Sequence, residues 1–457
     1  MILDDAHDPV SVPTAQHARW VERLLWAFLL SFSLDYRADF ARAGGAGTGI
    51  DQLLFVAGCL ASTAAIFFLG WRYLFVRPGS WLLVFWGGFL AYMLVNAFLQ
   101  GVPAGRSLRI ILPLCLCFAG MMNAHIAGCM GIRPSRIVAP VLVAACINVV
   151  WRITQGFLFK DITLDTARVE IQSSANNWIA AFIGCSLLLR RRLHWTLFLA
   201  AGVMFGGILV TVTRSLLFPI MASAVATFGC YFLGAKWGIY RMSELPRRIA
   251  PAAAVTGLAL LAIGIAALAH PRLLERWEER LFHHAADRNL PTDISWLTRE
   301  AEASSIFKIL NEDPIHYAYG HGIGASYYWD PTYYQEVSLV YPKEELIAQT
   351  EVWFAGHSVW TYSLFSGGIP ALLAHIGIIV AVMFASVRAA RANATDPGPD
   401  QWLSFLPCVA AFCLLSETLT SNPFDERLAG LIFGVMAGLS QSFFVRASWI
   451  HSRDLHA

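Results

Sequence analysis

His357 stands in the run EVWFAGHSVWTYSLFSGGIPALL, where a polar stretch gives way to an apolar one. An imidazole exchanges protons near neutral pH, so a histidine there could act as a general base; it could equally cap a helix at a membrane interface. Arg214 lies in GGILVTVTRSLLFPIM with apolar residues on both sides. A guanidinium in that setting is costly, so it is either functional or an anchor that snorkels from a helix end. Arg168 sits in KDITLDTARVEIQSSANNW, ahead of Asn176 and Asn177. Taken singly, these read as a surface charge and helix-capping amides. Arg299 falls in WLTREAEASSIFKILNEDP, with Arg272, Arg276, Arg280 and Arg288 as competitors nearby. The set is more specific than its members. Arginine stays charged and grips phosphate oxygens through paired hydrogen bonds. Three arginines beside one histidine could neutralise a diphosphate leaving group while the histidine takes a proton from an attacking sugar hydroxyl.

A metal centre is the competing chemistry. His283, His284, His316, His321 and His357 lie close in sequence among many carboxylates, but no HExxH or other fixed ligand spacing appears. Asp35 and Asp39 in SLDYRADF could bind a cation. The reading favoured here uses no metal and no cofactor. The nine cysteines all sit in or beside apolar runs, which excludes a disulfide framework and suits small buried hydrophobes.

The elements that must position these residues are apolar. The 457 residues are 57% hydrophobic and only 14% charged, against roughly 25% charged in soluble domains. The bilayer is the natural solvent for such a surface. A net charge of +2 implies no nucleic-acid partner. Runs long enough to span occur at 20–34, 50–70, 80–98, 107–130, 137–158, 173–189, 193–212, 215–234, 249–269, 358–387, 401–420 and 427–447. They predict an all-α integral membrane protein of about twelve helices. The acidic start, MILDDAHDPV, lacks the basic region of a cleaved signal peptide.

Orientation follows from the basic residues. With the N-terminus inside, thirteen fall in the inner connections: Arg72, Arg77, Arg133, Arg136, Arg190, Arg191, Arg192, Lys236, Arg241, Arg247, Arg248, Arg388 and Arg391. Seven fall in the short outer ones. Both termini are therefore expected in the cytoplasm, with the long connection between helices 9 and 10 outside. The organisation read from this is a tail at 1–19, nine helices over 20–270, a loop domain at 271–356, three helices over 357–447 and a tail at 448–457. The loop holds fourteen of the thirty-one acids and seven of the thirteen tyrosines. Apolar spacing at its start predicts an amphipathic helix from residue 271, WLTREAEASSIFKILNEDP reads as a second helix ended by Pro314, and YAYGHGIGASYYWDPTYY reads as an ordered aromatic stretch. Tyrosine, tryptophan and carboxylates together suit sugar binding.

On these residues the chain resembles the O-antigen ligase and polymerase superfamily over roughly 160–375. The resemblance rests on Arg168 followed by Asn177, on the step Thr213-Arg214-Ser215, and on Arg299 ahead of Pro314 and the Gly320, Gly322, Gly324 turn. It also rests on His357 leading to Gly367, Gly368 and Ile369. Ser358 stands where the family usually has asparagine. The resemblance implies a glycosyltransferase of the bacterial inner membrane with a periplasmic loop. His357 would be its base, with Arg214 and Arg299 as further catalytic residues. Arg168, Asn177, Arg288, Ser358 and Tyr319 would bind substrate. The implied donor is an undecaprenyl-diphosphate-linked glycan. The acceptor is lipid A-core for a ligase or a growing glycan for a polymerase. A transporter is disfavoured because no internal repeat appears and the ionisable residues gather at one face. A non-catalytic assembly protein would tolerate loss of His357.

Overall fold

A computed structural model describes residues 15–35, 50–75, 80–159, 173–190, 194–211, 216–269, 294–329, 353–395 and 400–454, with isolated positions at 171, 271, 272, 275, 277, 278, 332 and 398. Among them the chain is helical throughout, and its one β-bridge joins Tyr327 to Trp353. The helices are α1 (Ala15–Leu30), α2 (Ile50–Gly70), α3 (Trp81–Leu99), α4 (Ala104–Cys129), α5 (Pro134–Phe159), α6 (Ala175–Leu188), α7 (Trp195–Thr211), α8 (Leu217–Lys236) and α9 (Leu245–Ala269). In the loop region come α10 (Ile294–Glu312) and the single turn α11 (His316–Tyr319). Then follow α12 (Val359–Ala392), α13 (Leu406–Glu417) and α14 (Arg427–Asp454).

A helix stands on each of the twelve expected apolar runs, and among the described residues seven helices are long and apolar enough to cross a membrane. By that criterion this is a multi-pass membrane protein. Large side chains such as Phe68, Val84, Phe98 and Leu233 point away from the bundle, as a lipid-facing surface requires. Two elements differ from expectation. α1 begins five residues earlier, at Ala15, and stops at Leu30. There the Ser31 and Ser33 hydroxyls turn back onto the Phe28 and Leu30 carbonyls. The run at 401–420 is a 3-10 turn followed by the short α13, which ends at Glu417 ahead of Asn422 and Pro423.

The centre of the bundle is α14, whose apolar stretch is 94% buried. It carries Gly430, Gly434 and Gly438 at four-residue spacing, so the three share one face. A Cβ at each would strike the Pro113, Cys117 and Met121 carbonyls of α4. Between helices in lipid, such small-residue stripes let backbones approach and gain dispersion contact where no hydrophobic effect operates.

α12 is broken. Gly368 has φ 64°, and Pro370 follows, so the carbonyls just before the break lose their helical partners. Neighbours replace them. Tyr92 of α3 donates to Gly367 O at 2.8 Å, Asn96 to Ser366 O at 3.2 Å, and the His321 amide to Phe365 O at 2.7 Å. Irregular backbone at membrane depth is tolerated where protein satisfies it in this way. The break is therefore the seat on which the loop rests.

Candidate active site

α10 brings the first pair of residues together. Arg299 and Glu302 are three apart and share a helix face. Glu302 is buried, 1% exposed, and its carboxylate gathers the start of α12. The His357 amide donates to both its oxygens at 2.9 and 3.1 Å, and His357 Nδ1 lies 2.6 Å from Oε2. The Ser358 amide is 3.5 Å away, and Ser358 is the N-cap residue of α12 without a side-chain capping bond. Gly356 makes this approach possible, since a Cβ there would collide with Tyr362 and Glu302. With Nδ1 facing a carboxylate, the imidazole proton is held on Nδ1 and the lone pair faces outward on Nε2. The His357 side chain remains 46% exposed.

Aromatic residues wall the histidine. Trp353 lies against it at 4.9 Å between ring centroids, and Trp329 stacks on Trp353 at 5.3 Å and 8°. The bridge between Tyr327 and Trp353, with both hydrogen bonds at 3.0 Å, fixes that pair. Tyr327 is buried beside Glu302; burial first, then that carboxylate, pushes its phenol well above its ordinary range. It thus stays a neutral donor, reaching Ala355 O at 3.2 Å. The Arg106 guanidinium covers the Phe354 ring at 4.0 Å.

The stretch from Glu417 to Arg427 ties the remaining elements to this one. Arg299 donates to the Thr420 carbonyl. Asn422 donates to Gly356 O at 3.2 Å, one residue before His357. Glu417, buried, accepts from Ser174 at 2.6 Å and from the Asn177 amide. Glu426 accepts the Ser174 backbone amide at 3.1 Å and faces Arg152 at 3.6 Å. Arg427 pairs with Asp35 at 3.3 Å and reaches Gln52 at 3.1 Å. Two acids thus meet the N-terminus of α6, where the helix dipole favours negative charge.

Three predicted residues from distant parts of the chain, Asn177, Arg299 and His357, are thereby joined through one short connection. Asn177 lies inside α6, so it is a buried partner of Glu417 and not a helix cap. Tyr319 is placed elsewhere: Asn96 holds its carbonyl at 2.6 Å, and its ring meets His316 at the α12 break. Arg168, Arg214 and Arg288 lie outside the described residues, as do Asp39, His283 and His284. Asp35, the described half of the acidic pair weighed as a cation site, is paired with Arg427. Among the described residues no group of three or more His, Cys, Asp or Glu side chains is arranged to hold a metal ion.

Sequence reading missed Glu302, Glu417, Asn422, Glu426 and the buried Arg152 and Arg427. A signal was present in ETLTSNPFDER, a polar stretch with four charges between two apolar runs. In comparisons with known proteins, no family model matches this chain and no curated relative matches it.

Proposed function

We propose that the protein is a membrane glycosyltransferase. In this reading it moves a glycan from an undecaprenyl-diphosphate donor to an acceptor hydroxyl at the outer face of the bacterial inner membrane. The chain would span the membrane about twelve times with both termini in the cytoplasm. The observation that carries the reading is the His357–Glu302 contact at 2.6 Å, with the imidazole half open to its surroundings.

His357 Nε2 takes the proton of the acceptor hydroxyl. The oxygen attacks the anomeric carbon, and the bond from that carbon to the diphosphate oxygen breaks. The electron pair leaves on the diphosphate, whose charge Arg299, Arg168 and Arg214 offset. Glu302 keeps the His357 proton on Nδ1 and stabilises the imidazolium that forms, as a buried acid does for a catalytic histidine. No metal is needed in this scheme. The Trp329–Trp353 pair gives an apolar wall beside the base, suited to the C–H face of a sugar.

The acceptor in the favoured form is lipid A-core, which makes the protein an O-antigen ligase. The test is complementation of cells lacking the gene, comparing wild type with His357→Ala at matched membrane level. Lipopolysaccharide and lipid-linked polymer are resolved on gels. Loss of attachment to core, with long lipid-linked chains accumulating, supports the ligase. Accumulation of single repeat units assigns a polymerase. Wild-type patterns from His357→Ala reject the site.

A further inference from the structure

We propose that the stacked His316–His321 pair is a pH-sensitive latch, fastening the turn at 313–324 onto the broken segment of α12 and releasing it when the medium bathing the loop acidifies.

The seat of the latch is a close backbone contact. Gly320 (φ 74°) and Gly368 (φ 64°) face each other so tightly that a Cβ at Gly320 would lie 2.5 Å from the Gly367 nitrogen. A Cβ at Gly368 would lie 2.6 Å from Tyr319 N. The His321 amide bonds Phe365 O at 2.7 Å and takes up a carbonyl that the break leaves without a helical donor. The ring of His321 is held between two others: Phe365 of α12 at 5.0 Å, and His316 of α11 at 3.9 Å and 21°. His316 is tied down at both ring nitrogens. Nδ1 reaches Gly320 O at 2.9 Å and Nε2 lies 3.4 Å from Asp313.

The geometry penalises a second charge. Two imidazolium rings stacked face to face at this separation repel. His321 Nε2 is buried with no hydrogen-bond partner among the described residues, so a proton added there meets no acceptor. Among the described residues the carboxylate acting on His321 is Asp313, which already faces His316. α12 presents the uncharged Phe365 at this point. From α3 comes Tyr92, bonded to Gly367 O, and Asn96, bonded to Tyr319 O. On α4, Arg106 is engaged on Phe354. Burial, and next His316, lower the His321 pKa from its ordinary 6.5 to about 4. A shared metal is excluded by the stacking, because a metal must lie in the plane of each ring that binds it and these planes are near-parallel.

The sign follows. A depressed histidine pKa stabilises docking above the undocked value and loses that contribution as pH falls toward the docked value. The window is therefore from about pH 6.5 down to about 4. Between pH 7.5 and 5.0 the docking equilibrium weakens about 25-fold, from the ratio of the two titrations. Since the turn follows α10 directly, its release loosens the element that carries Glu302.

Hydrogen exchange by mass spectrometry on the full chain in lipid nanodiscs tests this. Exchange is read on peptides covering 313–325 at pH 7.5 and 5.0, corrected for the intrinsic rate. The expected result is a fall in protection of about 25-fold in these peptides. His321→Phe keeps an aromatic ring in the stack and removes the titration, so its protection should no longer depend on pH. His316→Phe removes the like-charged neighbour, so the response should shrink without vanishing. Equal protection at both pH values in wild type overturns the proposal. So does an unchanged pH response in His321→Phe. Should that variant not fold, an unchanged response in His316→Phe overturns the role of the pair. None of these readouts depends on glycan transfer.

Discussion

Replacing Glu302 with glutamine changes one oxygen to an amide and leaves the volume intact. Its consequence follows from the three donors that converge on the carboxylate. Glutamine keeps one acceptor, which the His357 backbone amide can claim. Its NH2 group then faces His357 Nδ1, 2.6 Å from the original oxygen. Two donors cannot share that contact, so the ring proton moves to Nε2 and the outward nitrogen is no longer a base. A hydrogen bond to a charged group contributes about 1.5–3 kcal/mol. The Coulomb stabilisation of the imidazolium adds about 4 kcal/mol for a pair near a surface. Because His357 is 46% exposed, water screens that second part to about 1–2 kcal/mol. The sum is about 2.5–5 kcal/mol, or roughly two to four orders of magnitude in rate. The assay is initial-rate transfer by purified protein in proteoliposomes with a lipid-linked donor. Glu302→Gln should fall by roughly two to four orders, and combining it with His357→Gln should add nothing further. The melting temperature should move little, since shape and one backbone bond survive. Transfer within threefold of wild type refutes the dyad. A lost signal accompanied by an unfolded protein does not count as agreement, and Glu302→Asp then serves as the milder variant.

Three further perturbations address the scaffold. Gly434→Leu should destabilise the bundle by more than about 3 kcal/mol, because the side chain meets the Cys117 carbonyl on α4, not open space; Gly229→Ala, where nothing lies within 4 Å, should be nearly silent in the same detergent melting curves. Arg248→Met should cost about 2–3 kcal/mol, since the guanidinium is buried and donates to the Leu188 and Leu189 carbonyls at 3.1 and 3.3 Å, closing the end of α6. Arg427→Met should cost about 3–5 kcal/mol by stranding buried Asp35, and the double variant with Asp35→Asn should recover most of the loss; a double variant no better than the single would show that Arg427 acts through other contacts.

How much of this was legible in the sequence depends on the range of the physics involved. Hydropathy is a local property, so the apolar runs marked the helices well, and Pro314 marked the stop of the helix read in WLTREAEASSIFKILNEDP, which is α10. A long α12 was legible as an apolar run, but its break was not, because Gly368 and Pro370 are common enough in membrane helices to be unremarkable. What makes the break matter is that Tyr92, Asn96 and His321, from other elements, supply its missing donors. The same holds at the site. His357 was legible because a histidine at the edge of an apolar run stands out. Glu302 was not, being one of fourteen acids in its loop until the fold buries it under Gly356 and His357. Asp35 was legible as polar but its partner was not, since Arg427 is 392 residues away in the chain. The pattern has a cause. In lipid there is no water to satisfy a stray polar group, so each buried carboxylate must find its donors within the protein. Those donors lie wherever the bundle brings helix ends together. The connection between α13 and α14 sits at that meeting point, with Glu417 and Glu426 both reaching the start of α6 and Asn422 reaching Gly356 beside His357. A residue's importance there is set by what it closes, and closure is a property of the assembled bundle.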